Sequence, residues 1–320
     1  MRAIQKEQSH EMAYEKPAAQ MKGQKARKAY IICKQGISAA AHSPAAWLFA
    51  ALWLLSAVYP VLAGYAGLVA VAFLVLVVVL LLSLLTLPLT AGTPTLARAQ
   101  DRPASRGILW VQIAILLTFI VFTGLRGMAF HGNLPSFLLF LAPMMDALNK
   151  VSFMLVNPIL YFVLPMALLL ILGVRWREVG LGRGYHSWRV TLLWSFLMLV
   201  LLLAALVLQR VGILPLLLAL LSNSLQNGFF EEFLFRGALM SRLGRLFRQR
   251  WDWAIVLSAL TFGLWHIGLE AQGFNGNYLL GAAHTILMQA VYGVGFAIVV
   301  YRTRNLLASS IIHVLLNVTL

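Results

Sequence analysis

Ionisable and amide side chains recur inside three apolar stretches near the C-terminus. The first holds Asn227, Glu231, Glu232 and Arg236, the second Phe262 and His266, the third His313 and Asn317. Carboxylates and imidazoles in hydrocarbon are costly, and by default they mark a working site. A carboxylate removed from water takes up a proton more readily, which suits general-base chemistry. Asn227 and Glu231 are four residues apart, as are Glu232 and Arg236, so each pair shares a helical face. Adjacent residues point about 100° apart on a helix, so the two glutamates face different surroundings. Glu232, beside Arg236, suits an ion pair. Glu231 has no cation on its own face and suits proton transfer. His313 and Asn317, again four apart, can aim two donors at one oxygen. Phe262 would support the site by packing, and His284 and Gln289 read as hydrogen-bonded packing residues.

Helical rise tests whether these groups can meet. At about 1.5 Å per residue, Glu231 lies about 16 Å from Arg242, His266 about 20 Å from Trp253 and His313 about 13 Å from Arg304. The three groups therefore fall in one layer. That layer is nearer the basic ends of their helices, so the site is expected on that side.

The elements that carry them are set by composition. The chain has 320 residues, 61% hydrophobic and 11% charged, with a mean hydropathy of +0.84. A soluble domain needs more charge to cover its surface. Apolar runs of about 20 residues point to an all-α, polytopic membrane helical bundle. About eight transmembrane helices are expected, plus one re-entrant or interfacial helix near 137–148. The runs cover about 45–62, 67–87, 108–125, 151–174, 190–208, 214–243, 253–269, 279–301 and 306–320.

The net charge is +15. Its cations sit between the apolar runs, so the positive-inside rule explains them and nucleic-acid binding is excluded as a role. With the N-terminus in the cytoplasm, the 98–106, 175–189 and 242–250 segments and Arg302 and Arg304 fall on the same side. Arg126, Lys150 and Arg210 fall opposite. This is the pattern of an integral protein of a bacterial-type plasma membrane. The single cysteine, Cys33, excludes an intrachain disulfide and a Cys-based metal site. Residues 1–43 show no apolar core followed by a cleavage site and read as a basic, flexible cytoplasmic tail. Residues 44–174 read as an N-terminal transmembrane region and 175–320 as the catalytic core.

Glu231-Glu232-x-x-x-Arg236, Phe262-x-x-x-His266 and His313-x-x-x-Asn317 together resemble the three motifs of the CAAX-protease and bacteriocin-processing (CPBP, or Abi) family of intramembrane endopeptidases. The lead-in Glu178-Val179-Gly180-Leu181 is also similar to the start of that domain. The resemblance covers about 175–320. It implies hydrolysis of a peptide bond in a membrane-associated or prenylated-type protein or peptide, without a cofactor. Glu231 and His266 would hold and activate water, and His313 and Asn317 would stabilise the oxyanion. Glu232, Arg236, Phe262 and Asn227 would support them. Membrane lipid and a membrane-associated substrate are the implied partners, with the oligomeric state open.

Three alternatives stay open. Glu231, His266 and His313 could supply a zinc site, although the chain has no His-Glu-x-x-His helix. Intramembrane Glu and His also serve transporters, but no internal repeat is visible. A non-catalytic immunity scaffold on the same fold is the third.

Overall fold

A segment crossing hydrocarbon must satisfy its backbone internally, and a single chain of apolar runs does so by forming helices. The computed structural model describes residues 18–93, 105–208 and 210–319, and every regular element among them is helical. In order these are α1 (Ala18–Ala41), α2 (Pro44–Leu62), α3 (Ala66–Leu89), α4 (Arg106–Phe130), α5 (Ala142–Asn149), α6 (Phe153–Ile171), α7 (Ser187–Val207), α8 (Ile213–Leu246), α9 (Trp251–Trp265), α10 (Ile267–Gly273), α11 (Tyr278–Thr303) and α12 (Leu306–Thr319). Seven of them, α2, α3, α4, α6, α7, α8 and α11, are long and apolar enough to cross a bilayer, and the bent pair α9–α10 makes up to eight. The protein is an all-α integral membrane bundle, as its hydropathy implies.

Two short elements do not span. A 3-10 segment, Ser136–Leu141, leads into α5 where the interfacial helix was expected. The final helix, α12, has 14 residues, about 21 Å of rise against about 30 Å of hydrocarbon.

Besides the run 306–320, expected to span but formed as the short α12, the structure changes three expectations. Part of the supposed flexible tail is α1, whose Cys33 thiol reaches the Leu84 carbonyl of α3 at 3.6 Å. The tail's earlier charges, and Arg98, Asp101 and Arg102, lie outside the described residues. The run 253–269 is broken at His266, where α9 and α10 meet at 48°. The third span continues five residues past Leu125, so Arg126 is inside a helix and buried rather than in a loop.

Side-chain contacts gather the basic segments at one end of the bundle. Ser43 donates to Asp252 at 3.0 Å, and Arg250 pairs with the same carboxylate at 3.0 Å. Glu178 receives Arg242 at 3.1 Å and Arg245 at 2.5 Å. Arg302 donates to the Thr90 hydroxyl at 2.8 Å. The starts of α2 and α9 and the ends of α3, α8 and α11 therefore lie together.

Candidate active site

The site is built around α8. This helix is not regular: π-helical stretches cover Ser224–Gly228 and Phe233–Met240, with four α-helical residues, Phe229–Glu232, between them. Wide turns of this kind recur at functional positions. Gly228 lets α12 approach α8, since a Cβ there would stand 2.3 Å from Val314 Cγ2. Across that contact His313 reaches both glutamates.

Glu232 and Arg236 form the expected ion pair, Nη1 to Oε1 at 2.9 Å, with both side chains fully buried. His313 joins them, its Nδ1 lying 3.1 Å from the same Oε1. A carboxylate paired with a guanidinium only accepts, so Nδ1 carries the proton. His313 Nε2 then faces Glu231 Oε2 at 3.7 Å, beyond a direct hydrogen bond. Glu231 is buried, and its Oε2 has no hydrogen-bond partner among the described residues.

Aromatic rings separate and hold these groups. Arg236 stacks over Phe262 at 4.0 Å, and His313 stacks on Phe296 at 4.9 Å. Phe262 also meets His266 edge-on at 4.7 Å. His266 sits at the α9–α10 bend, where its Nδ1 lies 2.9 Å from the Phe262 carbonyl. That carbonyl only accepts, so Nδ1 is protonated and Nε2 is left with its lone pair.

Glu231, His266 and Asn227 line one cavity of about 300 Å³. The groups read as water-holding thus share a space. His313 and Asn317 are not among the residues lining it. Asn317 is exposed and donates to Asn223 Oδ1 at 3.3 Å. One turn apart on α12, both side chains reach α8, His313 at the buried glutamates and Asn317 at Asn223 nearer the surface. Among the described residues, no three His, Cys, Asp or Glu side chains are grouped to hold a metal ion.

The cavity also contains residues that the motifs do not predict: Arg126 and Tyr161, both buried, and Asn157. Arg126 donates to Asn157 at 2.8 Å, and Asn157 donates to the Gln226 carbonyl at 3.1 Å and Asn227 Oδ1 at 3.4 Å. The available signal was an arginine followed by apolar Gly127-Met128-Ala129-Phe130, which keeps it inside the span. A second polar cluster lies beyond the bend. Glu270 accepts from His284 at 2.5 Å and Gln289 at 2.9 Å, so those two are hydrogen-bonded packing residues as expected, with a partner the sequence left unnamed.

Residues 213–319 match the family described as type II CAAX prenyl endopeptidase Rce1-like. That segment, about a third of the chain, is thus similar to a family of CAAX-type proteases, and it contains all three motifs. No curated protein and no solved structure matches the chain.

Proposed function

We propose that the protein is an intramembrane endopeptidase in which Glu231 is the general base. The observation that carries this reading is the cavity shared by Glu231 and His266, set among the motif residues of a protease family. Water between Glu231 and His266 Nε2 would give its proton to the carboxylate and attack a substrate carbonyl. The Arg236–Glu232–His313 chain positions Glu231 by holding the imidazole edge beside it. It leaves Glu231 the only glutamate of the pair not already neutralised. The oxyanion role that the resemblance gives to His313 and Asn317 gains no support from their placement: the Nδ1 proton of His313 goes to Glu232, and neither residue lines the cavity.

The substrate on this reading is a membrane-associated protein or peptide, of the prenylated type that the family name describes. Membrane-protein termini compared between cells with wild-type protein and cells with Glu231→Gln should show a set of new termini in the wild type alone. Identical termini in both, with the variant present in the membrane at wild-type level, would sink the proposal.

A further inference from the structure

Arg126 is 1% exposed, yet its partner is the neutral Asn157 and no acid pairs with it among the described residues. Its Nε and Nη2 have no hydrogen-bond partner among those residues. These two nitrogens form one edge of the guanidinium, with two parallel N–H bonds spaced to match a carboxylate. A buried, unpaired cation within a span is expensive and is retained where it has a task. Contacts fix its place. The Phe153 ring lies 4.3 Å from the guanidinium carbon, and Nη1 is held by Asn157, which is tied in turn to Gln226 and Asn227. Asn227 lies one turn before Glu231, and Arg126, Glu231 and His266 line the same cavity.

We propose that Arg126 is the carboxylate-binding group of this site: its unpaired edge, closed to solvent as it stands, receives a carboxylate of the substrate when the peptide displaces the side chains over it, and fixes the distance from that carboxylate to the bond cleaved. The inference rests on the reading of Glu231 and His266 as the hydrolytic pair. The cavity, about 300 Å³, is at the small end of ligand pockets, so only a short piece of chain fits between arginine and base. The carboxylate comes either from the peptide's C-terminus or from an Asp or Glu side chain. Helix α4, which supplies Arg126, lies outside the family match at 213–319.

Binding tests this separately from cleavage. Full-length protein carrying Glu231→Gln in nanodiscs would be titrated with fluorescent hydrophobic peptides. The three forms are a free C-terminal acid, the same peptide amidated, and the amide with one internal glutamate. The acid or the internal glutamate should bind about tenfold or more tightly than the plain amide, about 1.4 kcal/mol at that ratio. Whichever gains identifies the source of the carboxylate. Adding Arg126→Gln should remove the difference. Arg126→Lys, which keeps the charge and loses the fork, should keep part of it and guards against a folding failure in the first variant. Equal binding of all three peptides overturns the inference, as does a difference that survives both substitutions. Carboxylate preference without cleavage by protein retaining Glu231 would instead count against the hydrolytic reading.

Discussion

Glu231 and Glu232 are adjacent, but their environments give them opposite dependence on their neighbours. Glu232 is locked between Arg236 and His313, and every one of these groups is buried. Removing one member leaves an uncompensated charge, so Glu232→Gln should lower stability by about 3–5 kcal/mol. Glu231 lacks a hydrogen bond to Oε2, so Glu231→Gln breaks little. It should leave stability near wild type while reducing turnover by about 10²–10⁴-fold, the contribution of a positioned base. Thermal unfolding in detergent and peptide cleavage, measured on both variants, check the split. Equal destabilisation by the two substitutions would show that Glu231 is structural. Spacing alone foretold the Glu232–Arg236 pair, because i,i+4 geometry is local. The bridge through His313 was not legible, since it depends on how closely α12 approaches α8.

At the scale of elements, the spans were legible because hydrocarbon imposes both helix and length on the chain. The bend at His266 was not, because contacts between distant segments hold it. Asn133 donates to the Gly268 carbonyl at 2.9 Å, and Tyr278 donates to the Asn133 carbonyl. Gly281 on α11 lets α10 lie against it, since a Cβ there would stand 2.8 Å from the Ala271 backbone nitrogen. Backbone cannot yield as a side-chain tip can. Gly281→Ala should therefore displace α10, cost about 1–3 kcal/mol and lower activity by moving His266. Gly273→Ala, on the same short helix with nothing within 4 Å, should be neutral in both. Melting temperature and kcat/KM for the pair decide it, and similar behaviour of the two variants would count against the packing argument.

For the whole molecule, the remaining question is which face feeds the site. Depth counted along helices places the glutamates nearer the basic ends, but depth does not show which side is open. The cavity holding Glu231 and His266 is lined by Met128, His131, Phe153 and Leu269, at the ends of α4 and α10 and the start of α6. Those positions lie away from the basic segments 175–189 and 242–250. Access is therefore expected from the face opposite the cations, the outer face under the positive-inside orientation. With Cys33 replaced by Ser, His131→Cys should react with a membrane-impermeant thiol reagent applied outside intact cells, and the modification should block cleavage. Arg248→Cys, exposed beyond the end of α8, should react only in inverted vesicles and stay active when modified. Inhibition through position 248 with none through 131 would place the opening at the basic end and return the site to the side that depth alone suggests.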